Sequence, residues 1–297
     1  MRKRLIYRCD DVGYSEAYDL GIFRVLESGI GCSADVMLDS AHVEEALKKL
    51  KNMPWISVGW HRHLWERPVL PASEVPTLVD EEGRFKWRHR HPERMAEASY
   101  EEAYREFKAE AKLCFDILGR YPDVASFRGK DIPLENAFKD VLDECGIVYG
   151  FYSSTGSPRF PAEKCTDERY ASLHIISDMS SISQSYKMED WASYDPLKGL
   201  LDPVWTEDEE IFFYGWHPGY LDDHILAESS CSVHRVRELQ CALSDTYRNW
   251  IIDNGIELIN FRDALYGTNE FQDHLRDIGS DLWVGKNKKL HGGSSYL

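Results

Sequence analysis

The chain has 297 residues and a net charge of −16, from 35 basic and 51 acidic side chains, which argues against nucleic acid or an anionic membrane surface as its main partner. Hydrophobic residues make up 43% and aromatic residues 12%, enough for a large core, which argues against global disorder. No apolar run approaches the ~20 residues of a membrane span, and the basic Met1-Arg2-Lys3-Arg4 leads into an apolar stretch too short for a signal peptide.

In chain order, Leu5 to Cys9 reads as a strand that ends at Asp10-Asp11. Ser15 caps a helix running to about Ser28, stopped by Gly29 and Gly31. Ser33 to Leu38 is strand-like, Val43 to Leu50 helical, and Ile56 to Trp60 a strand. A polar stretch from His61 to Ala98 holds four prolines, and connections of that length are more often functional than not. Ser99-Tyr100-Glu101-Glu102 is a capping box for a helix that ends at Gly119. Val124 to Phe127 is a short strand, and Pro133 opens a helix closed by Gly146. Ile147 to Tyr152, Leu173 to Ile176 and Glu210 to Trp216 follow as strands. Val233 to Ile252 reads as one helix and Ile256 to Phe261 as the last strand.

About seven or eight mostly parallel strands alternating with helices predict a closed or nearly closed, incomplete (β/α) barrel in a single domain, residues 1–285. Residues 286–297 read as a loose tail. The seven cysteines form no Cys-x-x-Cys pair and read as reduced, buried small hydrophobes of a cytoplasmic protein.

In a barrel of this kind, active residues sit at the C-terminal strand ends. Asp10, Asp11, His61, Phe127-Arg128 and His217 all fall there. Adjacent carboxylates repel each other, so a pair at a strand end points to a cation or to proton chemistry. Alone, Asp10-Asp11 reads as a solvated turn before Gly13 and His61 as a polar loop start, and His217 before Pro-Gly reads equally well as a turn residue. Together they supply the parts of a metal-assisted hydrolase. A carboxylate and a histidine hold a divalent cation, a second carboxylate takes a proton from water, and a histidine opposite gives one to a leaving group.

Arg8-Cys9-Asp10-Asp11-Val12-Gly13-Tyr14-Ser15 resembles the N-x-D-D-F-G-x-S opening of the YdjC-like carbohydrate deacetylases, which include the chitooligosaccharide deacetylases. Gly31 to Met37 resembles the family's second strand, Val58-Gly59-Trp60-His61 its V-G-x-H, and His217-Pro218-Gly219-Tyr220 its H-P-G-Y. Arg237-Glu238-Leu239 and the Gly255-Ile256 strand resemble its closing R-x-x-E-L-type helix and final strand. The resemblance implies a distorted β/α barrel that removes acetyl groups from N-acetylated sugars with one divalent metal ion, magnesium or zinc. It implies Asp10 as general base, Asp11 and His61 as metal ligands, and His217 as proton donor or oxyanion partner.

The chain departs from the family at the fourth strand. Where the family has a D-S-H-x-H stretch carrying the third ligand, this chain has Ala125-Ser126-Phe127-Arg128-Gly129-Lys130-Asp131. Phenylalanine cannot bind metal, so the third ligand is Asp131, His63 or water, and Arg128 is a candidate partner for Asp10 or for substrate. Trp60, Trp65, Trp87 and Trp216 are candidates for stacking on sugar rings, with Trp65 and Tyr220 favoured as substrate contacts. His89 and His91 read as a solvated loop, and Asp222-Asp223-His224 as a polar loop near the site. The expected partner is a small-molecule or oligosaccharide substrate, and a homodimer is compatible. The rival readings are a carbohydrate-binding protein with a weakened metal site, and a barrel glycoside hydrolase or isomerase.

Overall fold

The computed structural model describes residues 2–87, 92–127, 130–151, 167–176, 194–201, 211–229 and 231–286. The described strands are β1 (Arg4–Val12), β2 (Ser33–Val36), β3 (Ser57–Trp60), β4 (Val124–Phe127), β5 (Val148–Phe151), β6 (Leu173–Ile176), β7 (Ile211–Trp216) and β8 (Glu257–Leu258). They form one curled sheet in the order β5-β4-β3-β2-β1-β7-β6, with β8 also pairing β1. Every described pairing between these strands is parallel, which makes the incomplete barrel that the alternating pattern predicts.

β1 is the central strand, and eight of its nine residues are buried, as a strand covered on both faces requires. β7 pairs along one edge from Arg4 to Cys9. The other edge is shared. The carbonyls of Lys3 and Leu5 accept from Glu257 and Ile259 beside β8, and those of Tyr7 and Val12 accept from Cys32 and Met37 beside β2.

The helices are α1 (Glu16–Glu27), α2 (Val43–Lys51), α3 (Tyr100–Leu118), α4 (Pro133–Cys145), α5 (Glu168–Ala171), α6 (Pro196–Leu201), α7 (Asp223–Glu228), α8 (Val233–Ala242), α9 (Asp245–Asp253), α10 (Phe261–Tyr266) and α11 (Glu270–Asp277). The Ser15 and Ser99 side chains cap α1 and α3 as their positions predict. Two expectations are corrected. The helix expected from Val233 to Ile252 is broken into α8 and α9, because the Ser244 side chain accepts from Tyr247 N–H and starts a new helix. The last strand ends at Leu258 rather than Phe261, because Asn260 and Asp263 form a capping box that turns the chain into α10.

The long segment 61–98 is tied down by carboxylates. Asp39 accepts from Trp65 and Glu66 N–H at 2.9 and 3.3 Å, and Glu106 from Val69 and Leu70 at 2.6 and 3.0 Å. Glu102 accepts from Thr77 N–H at 2.7 Å. Backbone donors outside a ladder need such partners once buried. His89 and His91 lie outside the described residues, as do residues 287–297 of the expected tail. Among the described residues no helix is long and apolar enough to cross a membrane.

Candidate active site

A bulge at the end of β1 creates the site. Cys9 pairs with Ala34 and Val12 with Val36, so Asp10 and Asp11 together oppose Asp35 alone. Adjacent strand residues ordinarily face opposite sides of a sheet. The extra residue, with Asp11 at φ 61°, re-aims one carboxylate, so that Asp10 meets Arg8 while Asp11 meets His61 and Arg235. A left-handed φ is strained for a non-glycine residue, although aspartate tolerates it better than most.

Asp10 points inward and is 2% exposed. Both its oxygens accept from Arg8, at 2.6 Å from Nε and 3.0 Å from Nη2. Arg8 Nη1 also lies 3.3 Å from Asp35 Oδ2. Asp35 Oδ2 is in turn 3.4 Å from His61 Nδ1, and His61 Nε2 is 3.0 Å from Asp11 Oδ1. Asp11 Oδ2 accepts from Arg235 Nη2 at 2.7 Å. A continuous chain of charge therefore runs from Asp10 to Arg235 through Arg8, Asp35, His61 and Asp11. Burial raises the pKa of Asp10, against the pull of Arg8. Burial also opposes ionisation of Asp11, but Arg235 and the two histidines hold it well below the usual carboxylate range. Burial alone would lower His61, yet its hydrogen bonds to Asp11 and Asp35 raise it to about 10.

His217 approaches from the end of β7, with Nε2 3.9 Å from Asp11 Oδ2. Burial pushes its pKa down to about 3, so its resting form is neutral. Its backbone N–H donates to Glu238 Oε2 at 2.6 Å, and Glu238 Oε1 accepts from the Tyr194 hydroxyl at 2.8 Å. His217 Nδ1 is buried with no hydrogen-bond partner.

Asp10, Asp11, His61 and His217 are thus brought together. The others are not all gathered with them. Among the described residues no group of three His, Cys, Asp or Glu could hold a metal ion, so neither Asp131 nor His63 completes Asp11 and His61. Asp131 is exposed and meets Asn136 Nδ2 at 3.3 Å. Phe127 is fully buried against Tyr149, with ring centroids 5.7 Å apart. Arg128 lies outside the described residues; among those described, Arg8 pairs with Asp10. Trp60, Trp87 and Trp216 are buried at 0%, 1% and 5% exposure, so they are core residues rather than sugar platforms. Trp65 remains half-buried, 4.8 Å from the His63 ring. The Tyr220 hydroxyl accepts from Arg24 of α1. His224 sits 3.0 Å from Glu66 at the start of α7.

Sequence reading missed Arg8, Asp35 and Arg235. Arg235 had a signal: it stands three residues before Glu238 on α8, and that spacing puts both on one helix face. Arg235 reaches Asp11 while Glu238 supports His217. Arg237, read as the motif arginine, instead donates to the Tyr194 carbonyl at 2.6 Å.

With this geometry in place, the likeness to known proteins is informative. Residues 4–126 match the family model described as YdjC-like protein. That stretch resembles the YdjC-like proteins. It is 28% identical over 263 residues to a carbohydrate deacetylase of Clostridium beijerinckii, covering 88% of this chain and 99% of that one. It is 27% identical over 269 residues to a carbohydrate deacetylase of Enterococcus faecalis, covering 87% and 97%. A crystal structure from Enterococcus faecalis V583, of a protein named for cellobiose-phosphate cleavage, superposes with a TM-score of 0.66 at 24% identity. It covers 89% of this chain and all of that one, which supports the fold.

The YdjC-like motifs imply a divalent cation, and two donors here suit one. Ligands about 2.1 Å from an octahedral cation and at right angles stand about 3.0 Å apart, the separation of Asp11 Oδ1 and His61 Nε2. Asp35 behind His61 Nδ1 is the carboxylate that ligating histidines ordinarily carry.

Proposed function

We propose that the protein hydrolyses the N-acetyl amide of an amino sugar or its oligosaccharides, using one divalent cation held by Asp11 and His61. The observation that carries this reading is the β1 bulge, which sets Asp11 3.0 Å from His61 while Asp10 stays clamped beside them and His217 faces Asp11. The relatives named carbohydrate deacetylase, matched over nearly their whole length, support it.

The cation, when bound, would acidify water and polarise the acetyl carbonyl. Asp10 accepts the proton of the water that attacks that carbonyl, its carboxylate held by Arg8. His217, neutral at rest, takes up that proton and passes it to the amine nitrogen as the C–N bond breaks. Acetate and a free amine leave. Glu238 fixes the backbone of His217, and Arg235 fixes Asp11. Trp65 and Tyr220 are the proposed sugar contacts, Trp65 through its half-buried ring.

The test is acetate release from N-acetylglucosamine and its short oligomers, with magnesium, manganese, cobalt or zinc added in turn. Release that disappears with chelation and returns with one of these ions is expected. No release from any acetylated sugar with any of them sinks the reading. A second reading, a carbohydrate-binding protein with a weakened metal site, is favoured by the lack of a third donor among the described residues and by Arg235 on Asp11 Oδ2. Sugar binding without turnover would select it.

A further inference from the structure

We infer that Arg8 is a positioning residue, which sets the orientation of Asp10 directly and that of His61 through Asp35; this role rests on the deacetylase reading above. Arg8 is 2% exposed and sits in the central strand, two residues before Asp10. Its planar fork grips both Asp10 oxygens and touches Asp35, whose same oxygen meets His61. The Phe213 ring lies 5.4 Å from the guanidinium carbon.

The neighbouring strands are cut back to admit this cluster. In the β1–β7 register Arg8 stands opposite Gly215. A Cβ at Gly215 would lie 2.7 Å from Arg8 Nη2 and 2.9 Å from Asp10 Oδ2. In the β2–β3 register Asp35 stands opposite Gly59, where a Cβ would run into the Asp35 carboxylate. Two strands therefore lack a side chain just where the ion cluster needs the space. A purely structural contact at this depth would be served as well by apolar side chains, because desolvating ions offsets most of their attraction. The cluster instead joins the proposed base to the histidine of the proposed cation site. A guanidinium does this through two parallel hydrogen bonds that fix the plane of the Asp10 carboxylate, which a point charge cannot do.

The experiment compares wild type with Arg8→Met, Arg8→Lys and Arg8→Ala in acetate release, and separately follows thermal melting without added metal. Arg8→Met should lose about 10²-fold in kcat with KM unchanged, the scale of a misplaced catalytic group. Arg8→Lys should fall between the two, and it stands in for Arg8→Met if that variant does not fold. Guanidinium ion should restore part of the turnover of Arg8→Ala but none of Arg8→Met, whose side chain fills the space. Wild-type kcat in Arg8→Met, or a loss confined to KM, overturns the inference. Gly215→Ala should lower the melting temperature in the wild-type background and lower it less beside Arg8→Ala. Equal losses in both backgrounds overturn the claim that Gly215 makes room for Arg8. If the wild type releases no acetate, the deacetylase reading fails, and the melting comparison alone decides whether the clamp exists.

Discussion

On the β1–β3 flank of the site, Asp10, Asp11, Asp35 and His61 are each tied to another charged group, with Arg8 joining Asp10 to Asp35 and Arg235 closing the far end at Asp11. On the two strands that border it, Phe127 of β4 packs on Tyr149, and His217 at the end of β7 keeps a buried Nδ1 without a hydrogen-bond partner. The flank holds charge in a fixed place, and the bordering strands leave a neutral histidine free to exchange a proton. Asp10 is held through its side chain by Arg8, whereas His217 is held mainly by its backbone. Substitutions in the two regions should therefore fail in different ways.

The largest effect is expected on the fixed flank. Asp10→Asn should abolish acetate release, because the amide cannot accept the proton of water. It should also lower stability by about 1–3 kcal/mol, the cost of losing charge-assisted hydrogen bonds, since Arg8, 2% exposed, keeps Asp35 but loses its two-oxygen pair with Asp10. The clamp on Asp10 is what makes the substitution cost stability as well as the base. Kinetics and denaturant unfolding on one preparation check both parts. Wild-type turnover removes Asp10 from the mechanism.

His217→Ala probes the bordering strands. Turnover should fall by roughly 10²–10⁴, the usual contribution of a proton-transferring side chain. Stability should hardly change, because the side chain holds no hydrogen bond that the fold needs, while the bond from its backbone to Glu238 survives. A large loss of stability with intact turnover would invert the contrast between the two regions.

Most of this asymmetry was legible in parts. The strand ends that carry Asp10, Asp11, His61 and His217 follow from alternation and turn residues, and the fold places all four at one end of the sheet. The bulge was not legible, because an extra residue in a strand leaves no periodic mark when the whole strand is buried. Nor were the partners. Arg8 reads as a polar residue before a turn until the register sets it opposite Gly215. Tryptophan positions misled for the same reason, since burial depends on what packs from distant helices, here Phe107 and Phe138 on Trp60.

Phe127→His asks whether the bordering strand β4 can be given a ligand. Cation affinity should rise at least about tenfold (about 1.4 kcal/mol), measured by calorimetric titration with magnesium, manganese and zinc. Phe127 is fully buried, so a loss of about 1–3 kcal/mol in stability from placing a polar ring there is the expected cost. Tight binding by the wild type with no gain in the variant would mean that the third ligand comes from elsewhere in the chain.

The smallest effect concerns how far the fixed flank extends behind β3. Trp60 Nε1 donates to Glu110 Oε2 at 3.1 Å, and Glu110 and Glu106 are 1% and 0% exposed on α3. Glu106 accepts from two backbone N–H groups of the long segment, so Glu110 is the carboxyl suited to hold a proton between them. Burial, then Glu106, raises the Glu110 pKa well above its ordinary value. A carboxyl whose folded pKa is raised supports the fold below its unfolded value, about 4.3. That support is lost as pH rises through the folded value. Glu110→Gln keeps the shape and supplies a permanent N–H donor. It should therefore change stability by about 1 kcal/mol or less near pH 4, and flatten the decline of stability toward neutral pH. Urea unfolding of both proteins across pH 4 to 8 reads this out; parallel curves would mean that Glu110 carries no proton in the folded chain.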